Sequence, residues 1–309
     1  MEYRPLGNTG LKVSVLGYGA SPLGSVFRKI NEADGIRTVH TALDLGINFI
    51  DVSPYYGLTR AEEVLGKALK TIPRDKYFLA TKVGRYGENY FNFSRERVLT
   101  SVDESLQRLG VEHIDIIQCH DIEFVGLDQI VNETLPALRE LQENGKVGFI
   151  GITGYPLKIF PEILEKTHVD TVLSYCRYSL NDTNLLGLIP YLQEKKTGII
   201  NASPLSMGLL THRGVPNWHP ASAEIVEACS TAAAFFQEHG VDIAQVAIRF
   251  STSNPAVAST LVGTANPENI KKNVQWADVP VDEDFLSEIQ KILSPVHNAA
   301  WLSGLPENN

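Results

Sequence analysis

Short apolar runs alternate along this chain with longer segments in which apolar residues recur at helical spacing. The apolar runs are nearly continuous, which is typical of strands that are buried on both faces of a parallel sheet. Eight such strand–helix units follow one another without a break in composition. Because parallel strand–helix units of this number close on themselves, the pattern predicts an α/β fold, a (β/α)8 barrel of the TIM type that spans residues 1–309 as a single domain.

The predicted elements are given by their positions. Strands are predicted at residues 15–20, 48–52, 77–83, 114–120, 147–152, 169–175, 197–202 and 258–262. Helices are predicted at residues 31–45, 61–72, 95–109, 127–143, 156–166, 185–195, 222–239, 267–277 and 283–293. Ser94 is expected to cap the third of these helices. Outside the repeat lie an N-terminal β-hairpin at residues 3–15 that would close the barrel floor, a long loop at 207–221, and a tail at 294–309 after the extra C-terminal helix.

The composition argues against several classes of protein. The formal net charge of −9 opposes binding to nucleic acid, which needs a basic surface, and docking on anionic membranes. The N-terminus is polar and no long apolar segment follows, so we expect a cytoplasmic protein without a signal peptide or a membrane span. With three cysteines and no CxxC motif, we expect neither a disulfide framework nor a metal centre.

Polar side chains stand where the second, third and fourth predicted strands end. Asp51 ends the second strand, and Tyr56 follows it in the next loop. Lys82 lies at the end of the third strand and His120 at the end of the fourth. Since catalytic residues of such barrels lie at the carboxyl ends of the strands, we expect these four side chains to converge on one rim.

The four residue types together could relay a proton. A free tyrosine has a pKa of about 10 and is a poor acid or base at neutral pH. A buried Lys82 beside it is expected to lower the pKa of Tyr56, and Asp51 can pair with that lysine. A neutral His120 can hold the substrate oxygen in line. Such a set could oxidise an alcohol or reduce a carbonyl.

Each of these residues also has an ordinary structural explanation. An aspartate at a strand end most often forms a cap or a turn, a lysine usually extends its ammonium group to solvent, and a lone histidine or tyrosine usually packs. The occurrence of all four at the ends of three successive strands favours catalysis. Cys119 is not expected to act with His120, because neighbours on a strand face opposite ways. A dinucleotide fingerprint that begins at Gly17 and Gly19 is incomplete, since Pro22 stands at the third glycine position.

The chain resembles the aldo-keto reductase superfamily over essentially its whole length. The segments that carry the resemblance lie at residues 48–57, 80–82, 106–110, 117–120 and 145–152. The resemblance implies a nicotinamide cofactor. It also implies that Tyr56 donates or accepts the proton and that His120 orients the substrate. In the same scheme, Lys82 and Asp51 form the pair that tunes the tyrosine.

The cofactor is expected at the loops after the seventh and eighth strands, which commonly bind phosphate in such barrels, and at the helix start that follows. The resemblance places Thr153 and Tyr175 at the nicotinamide amide and Asn273 at the adenine. Asn266 is also expected to cap its helix ahead of Pro267. The residues expected to bind the cofactor are Ala20, Ser21, Thr153, Tyr175, Ser203, Leu205, Met207, Gly263, Thr264, Asn266, Glu268, Asn269 and Asn273.

The charge near the eighth strand favours NAD over NADP. A 2′-phosphate is recognised by arginine or lysine. Residues 263–270 contain neither, and Glu268 can accept from ribose hydroxyls but repels a phosphate. Lys271 and Lys272 follow closely, so NADP is the alternative.

Further segments are similar to a group within the superfamily that uses NAD to oxidise the anomeric carbon of an L-sugar, L-galactose above all, to the lactone. They lie at residues 19–25, 53–57, 119–124 and 218–222. A sugar needs many hydrogen-bond partners and an aromatic face. The expected substrate contacts are Tyr55, His120, Asp121 and Trp301. The alternatives are a dehydrogenase for L-fucose or another aldose, an NADPH-dependent aldehyde reductase and, least favoured, a non-enzymatic regulatory subunit.

Overall fold

The computed structural model describes residues 1–280 and 283–309. Eight parallel strands form a closed barrel in which neighbours along the chain pair and the last strand pairs with the first. An antiparallel hairpin, β1 (Tyr3–Pro5) and β2 (Lys12–Ser14), precedes the barrel. The barrel strands are β3 (Leu16–Gly19), β4 (Phe49–Asp51), β5 (Phe78–Val83), β6 (Ile114–Cys119), β7 (Val147–Gly154), β8 (Thr171–Tyr175), β9 (Gly198–Ala202) and β10 (Ser259–Gly263). The predicted (β/α)8 fold is confirmed.

Helices connect the strands around the barrel. They are α1 (Glu32–Asp44), α2 (Arg60–Leu69), α3 (Arg95–Leu109), α4 (Leu127–Gln129), α5 (Leu135–Glu143), α6 (Ile159–Leu164), α7 (Ile189–Glu194), α8 (Ala223–Glu238), α9 (Ile243–Ser253), α10 (Pro267–Asp278) and α11 (Glu283–Leu293). Each predicted helix overlaps an observed one, although a π-helical turn, Ile130–Thr134, joins α4 to α5. Among the described residues, no helix has the length and apolar character needed to cross a bilayer.

Two local predictions need correction. The helix α9, which packs against α10, is not among the predicted helices. Its start is nevertheless marked by Asp242, whose side chain accepts a hydrogen bond from the Ala244 N–H at 3.0 Å. Ser94 directly precedes α3, but its hydroxyl makes no capping hydrogen bond. The N–H of Arg95 donates instead to the Glu133 carboxylate at 2.8 Å, because that side chain reaches over from the neighbouring helical segment.

The hairpin closes the amino-terminal end of the barrel, as predicted. Leu6 and Val13 are fully buried in the same apolar cluster as Phe49 of β4. Gly7 approaches β9 so closely that a Cβ atom there would lie 2.3 Å from the backbone nitrogen of Gly198. Because Gly7 also has a φ of +54°, only glycine fits this contact.

The register of β4, β5 and β6 brings polar side chains together at the opposite end. Asp51 pairs with Ala80, and Lys82 pairs with Gln118. Ala80 belongs to the cluster that fills the barrel interior. Since residues two apart on a strand share a face, Lys82 and Gln118 also face inward, and His120 follows on the same face just beyond β6.

The C-terminal tail is anchored to the loop after β6 through Glu123. The backbone carbonyl of Glu123 accepts hydrogen bonds from the Leu305 N–H and from Asn308 Nδ2, both at 2.8 Å. Its carboxyl group accepts from the Ser303 hydroxyl at 3.0 Å and from the Tyr155 N–H at 3.2 Å. The second carboxyl oxygen has no partner among the described residues, and the side chain is wholly buried. The tail therefore covers an ionisable group that is shielded from water.

This environment changes the ionisation of the carboxyl group. Burial raises the pKa of Glu123 to about 8, and the nearby Asp121 carboxylate acts in the same direction, against the local hydrogen bonds. In the unfolded chain the same group has an ordinary pKa near 4.5. Between these two values the folded protein keeps a proton that the unfolded chain has released. The free energy of unfolding therefore falls as the pH rises through this range and levels off above the folded pKa.

We predict that Glu123→Gln removes most of this fall, because the amide does not titrate. At about 1.36 kcal/mol for each pH unit, the wild type should lose on the order of 4 kcal/mol between pH 5 and pH 8 through this group. Urea unfolding at the two pH values measures the difference, and Glu288→Gln, at a partly exposed glutamate on α11, is the control. The same pH dependence in the wild type and in Glu123→Gln would contradict the assignment.

Candidate active site

The four side chains singled out in the sequence converge at the carboxyl end of the barrel, beginning with a buried ion pair. Lys82 Nζ donates to Asp51 Oδ1 and also to the backbone carbonyl of Val52, the latter at 2.9 Å. Both charged side chains are almost completely buried. The structure thus places Lys82 against Asp51 rather than in solvent, where a lone lysine side chain would ordinarily extend.

Gln118 completes the surroundings of the aspartate. Its Nε2 donates to Asp51 Oδ2 at 2.8 Å, so both carboxylate oxygens of Asp51 accept a hydrogen bond. Its own Oε1 has no partner among the described residues. In the sequence Gln118 belongs to one of the matching motifs, but no role could be given to it there. The signal that could have identified it is its position two residues before His120 on an inward-facing strand.

Tyr56 lies between the ion pair and the histidine. Lys82 Nζ is 5.2 Å from the centroid of its ring, and the His120 ring stands edge-on to it with centroids 5.5 Å apart. The tyrosine also lines the large cavity at this end of the barrel. The geometry therefore brings together all four predicted members of the proton relay.

Contrary to expectation, the pKa of Tyr56 is not brought below its ordinary value in this structure. Burial raises the pKa of Tyr56 well above its ordinary value, and the Asp51 and Asp121 carboxylates raise it further. The Arg85 guanidinium opposes this rise without overcoming it. The physical reason is that the positive charge of Lys82 is matched by Asp51, so it does not outweigh the loss of water around the phenol. The free protein therefore holds Tyr56 as a neutral phenol.

His120 is held as a neutral imidazole. Burial lowers the pKa of His120 to about 3, with the Lys82 and Arg85 charges acting in the same direction and Asp121 against them. Its Nδ1 lies 2.9 Å from the Ser53 hydroxyl oxygen. A neutral imidazole can hold a substrate oxygen without adding charge, as expected from the sequence.

A polar wall of Arg85, Asp121 and Tyr55 lies next to His120, and two of its residues, Asp121 and Tyr55, are predicted sugar contacts. Arg85 donates to the Asp121 carboxylate and to the Tyr55 hydroxyl, the latter at 3.2 Å. Its guanidinium carbon also lies 4.0 Å from the centroid of the Tyr55 ring. Burial acts to raise the pKa of Asp121, but the Arg85 guanidinium, through its charge and its hydrogen bond, helps to hold that pKa below the ordinary value. The wall therefore offers a carboxylate, a guanidinium and an aromatic face side by side.

Trp301, the fourth predicted sugar contact, lies in a separate aromatic group. It stacks on Tyr155 with centroids 4.7 Å apart and meets His219 edge-on at 5.3 Å. These contacts join the C-terminal tail to the long loop after β9. Among the described residues, Trp301 has no ring contact with Tyr56 or His120.

A cavity of about 610 Å³ extends from Tyr56 to the first turns of α10. It runs along the ends of β9 and β10, where the sequence predicts the cofactor. The predicted cofactor-binding residues that line it are Ser21, Ser203, Leu205, Met207, Gly263, Thr264, Asn269 and Asn273. Within the described residues, no group of His, Cys, Asp and Glu is arranged to hold a metal ion.

Three predicted cofactor residues are engaged behind the cavity wall. Ala20 is fully buried, and its N–H donates to the backbone carbonyl of Asp51 at 2.8 Å. The Thr153 hydroxyl accepts from the Asp121 N–H at 2.9 Å. Tyr175 directs its hydroxyl to the Glu123 carboxyl group at 3.4 Å. These bonds connect the loop after β3 to the end of β4, and they connect β7 and β8 to the loop after β6.

The remaining two, Asn266 and Glu268, lie at the start of α10 outside the cavity lining. The Asn266 side chain caps the helix by accepting from the Glu268 N–H at 2.8 Å, as predicted. The Glu268 carboxylate is 71% exposed and pairs with Lys271 at 2.8 Å. Its negative charge is therefore partly neutralised at the surface.

Three cations line the cavity, Arg28, Arg213 and Lys272. Sequence reasoning named only Lys272 among them and missed the two arginines. None of the three has an ion-pair partner in the part of the chain that the structure describes. They come from the loop after β3, the loop after β9 and α10, so no single motif contains them. An elongated cavity with unpaired cations, a capped helix start and a phenol at its inner end fits a dinucleotide with a diphosphate group.

Comparisons with known proteins agree with this geometry. The sequence profile described as the Aldo/keto reductase family matches residues 15–294. L-galactose dehydrogenase of Arabidopsis thaliana is 51% identical over 317 residues, which cover 100% of this chain and 99% of the relative. D-arabinose 1-dehydrogenase of Saccharomyces cerevisiae is 36% identical, with 86% of each chain covered. The solved holo structure of an aldo-keto reductase from Bacillus halodurans has a TM-score of 0.81 at 26% identity, covering 97% of this chain and 98% of that one.

These matches extend over the parts of the molecule that carry the site. The family profile covers all eight barrel strands and the residues that converge at their carboxyl ends. The full-length relative also covers the hairpin and the C-terminal tail, which the profile leaves out. The chain is an oxidoreductase that belongs to the aldo/keto reductase family.

Proposed function

We propose that this enzyme oxidises the anomeric carbon of an L-sugar, with L-galactose as the preferred substrate, to the aldonolactone, and that NAD accepts the hydride. The observation that carries the proposal is the polar wall of Arg85, Asp121 and Tyr55 beside the neutral His120 and Tyr56. A sugar offers several hydroxyl groups to this wall, whereas a simple aldehyde offers none. The identity to a relative named L-galactose dehydrogenase supports the same choice of sugar.

The chain's own residues divide the chemistry among them. The sugar hydroxyl on the anomeric carbon lies between the Tyr56 oxygen and the His120 ring. Tyr56 first releases its own proton to solvent, and its phenolate then takes the proton of the sugar hydroxyl as the base. Neutral His120 fixes the position of that oxygen, while the buried pair of Lys82 and Asp51 keeps the charge beside the phenol balanced. When bound, the oxidised nicotinamide supplies the acceptor for the hydride that leaves the same carbon. Proton transfer by a positioned side chain contributes about 10²- to 10⁴-fold to the rate of such reactions.

The other sugar hydroxyls are bound by the polar wall in this proposal. The Asp121 carboxylate accepts hydrogen bonds from these hydroxyls, and Arg85 donates hydrogen bonds to them. The Tyr55 ring offers an aromatic face to the apolar side of the sugar. Arg85 is already ordered by Asp121 and by the Phe91 and Phe124 rings, whose centroids lie 5.2 and 5.3 Å from its guanidinium carbon. The site is therefore built before the sugar arrives, which reduces the entropic cost of binding.

We expect Tyr56→Phe to abolish most of the activity, because the variant keeps the shape of the ring and loses the only proposed proton acceptor. The predicted effect is a fall in kcat of at least about 100-fold with nearly unchanged affinity for NAD. Steady-state oxidation of L-galactose gives kcat, and fluorescence titration gives the NAD affinity. Tyr77→Phe, at the amino-terminal end of β5, is the control for loss of a buried phenol. Near-normal turnover in Tyr56→Phe would overturn the assignment of the base.

The choice of NAD rests on the absence of a cation between Gly263 and Ile270 and on the carboxylate of Glu268 at the helix start. We predict that the wild type prefers NAD and that Glu268→Arg, combined with Ala265→Arg, improves the use of NADP. One favourable charged contact with a 2′-phosphate is worth about 1.5–3 kcal/mol, which corresponds to roughly ten- to a hundred-fold in affinity.

Initial rates with both cofactors test this prediction. The matched control is Glu288→Arg, because Glu288 forms the same kind of pair with Lys291, three residues further along α11, as Glu268 forms with Lys271. A wild type that prefers NADP would disprove the charge argument and would assign the 2′-phosphate to one of the cavity cations.

Those cavity cations, Arg28, Arg213 and Lys272, favour a second candidate function, an NADPH-dependent aldehyde reductase. A panel of L-galactose, L-fucose and D-sugars with NAD, run beside simple aldehydes with NADPH, separates the two. The proposed function requires the higher kcat/KM for an L-sugar with NAD. Higher values for simple aldehydes with NADPH would establish the reductase instead.

A further inference from the structure

The Ser53 hydroxyl connects the loop after β4 to the proposed substrate-orienting histidine. Its oxygen lies 2.9 Å from His120 Nδ1 and accepts a hydrogen bond from the Tyr55 N–H at 3.1 Å. Ser53 is fully buried, and no other hydrogen-bond partner of its side chain is found among the described residues. The hydroxyl therefore has one proton to donate and one available acceptor, the imidazole nitrogen.

A neutral histidine carries its proton on one of two nitrogens, and the partners of each nitrogen decide which. If Nδ1 were protonated, it would donate to Ser53, and the serine proton would have no acceptor in a buried site. If Nε2 is protonated, Ser53 donates to Nδ1 and every group in the chain Tyr55 N–H, Ser53 hydroxyl, His120 Nδ1 is satisfied. An unsatisfied buried donor is costly, so the second arrangement is favoured.

The other side of the ring points to the same arrangement independently. His120 Nε2 lies 3.6 Å from the Asp121 Oδ2 carboxylate oxygen, too far for a hydrogen bond but close enough for a strong electrostatic effect. A lone pair on Nε2 would face a negative charge at this distance, whereas an N–H dipole would be attracted to it. Asp121 is fixed there by Arg85 and by Thr153, whose hydroxyl accepts from its N–H at 2.9 Å.

We propose that Ser53 is a positioning residue that holds His120 in the form protonated at Nε2, so that the histidine donates a hydrogen bond to the reacting oxygen of the substrate. The role of that donation in catalysis rests on the proposed function, but the tautomer itself does not. Ser53 does not touch the reacting atoms. It acts through the imidazole, much as the third member of a catalytic triad sets the tautomer of its histidine.

The tautomer can be measured directly by two-bond ¹H–¹⁵N correlation spectra of the protein labelled with ¹⁵N-histidine. The eight histidines include built-in standards for both forms. His113 Nδ1 lies 2.8 Å from the Gly145 carbonyl, which can only accept, so that ring is protonated at Nδ1. His219 Nε2 lies 3.0 Å from the Ser206 carbonyl, and its Nδ1 accepts from a backbone N–H, so that ring is protonated at Nε2.

The expected result is that wild-type His120, assigned by the signal that is lost in His120→Asn, shows the pattern of His219. The pattern of His113 would overturn the proposal, whatever the enzyme's substrate proves to be. The spectra need neither sugar nor cofactor, so absence of sugar oxidation would refute the proposed function and leave the tautomer test intact.

Variants then test whether Ser53 is what holds His120 in the form protonated at Nε2. In Ser53→Ala the His120 signals should move towards a mixture of the two forms, and kcat for L-galactose should fall by roughly tenfold, as for loss of one hydrogen bond, with KM for NAD unchanged. Ser53→Thr keeps the hydroxyl and should show the wild-type His120 signals and the wild-type kcat. Ser259→Ala removes a buried hydroxyl that bonds the Ser14 carbonyl at 2.8 Å at the other end of the barrel, and it should change neither. Unaltered His120 signals and kcat in a folded Ser53→Ala protein would overturn the proposal.

Discussion

The buried ion pair between Lys82 and Asp51 is the interaction on which the site depends. Two charges taken out of water at the ends of neighbouring strands are tolerated only when each is paired and fully hydrogen-bonded. The structure meets that condition with the backbone carbonyl of Val52 for the lysine and the amide of Gln118 for the aspartate. Because Asp51 opposes the charge of Lys82, burial dominates at Tyr56 and holds the pKa of the phenol well above its ordinary value.

The convergence of this pair with Tyr56 and His120 was predictable from the sequence. Parallel strands in a closed barrel place their carboxyl ends on one rim, so a polar residue that ends an apolar run has a known destination. Asp51, Lys82 and His120 end successive runs, and the observed register brings them together. The helix cap at Asn266 was predictable for a similar reason, since it depends only on local sequence.

Other parts of the site depend on side-chain direction and on contacts between distant segments, which local patterns do not fix. On α10, Asn269, Lys272 and Asn273 line the cavity at helical spacing, whereas Glu268 lies one position off that face and pairs with Lys271. A count of charges in a window therefore does not tell which of them line the cavity, although the periodicity of the helix could have done so. Arg28 and Arg213 come from two separate loops, so no local pattern brings them together. Ser53 acquires its role only through its contact with His120, which lies 67 positions further along the chain.

The central claim is that the Lys82–Asp51 pair sets the ionisation of Tyr56, and the pH dependence of kcat for L-galactose oxidation tests it most directly. In the wild type the rate should rise with pH through the pKa of Tyr56 in the complex and then level off. In Lys82→Met the Asp51 charge is unopposed, so the rising limb should move to higher pH, and a limb displaced by one pH unit corresponds to about 1.36 kcal/mol. In the double variant Asp51→Asn with Lys82→Met both charges are gone. The pH range over which kcat rises should therefore return towards that of the wild type. A limb that stays in place in a folded, NAD-binding Lys82→Met enzyme would contradict the claim.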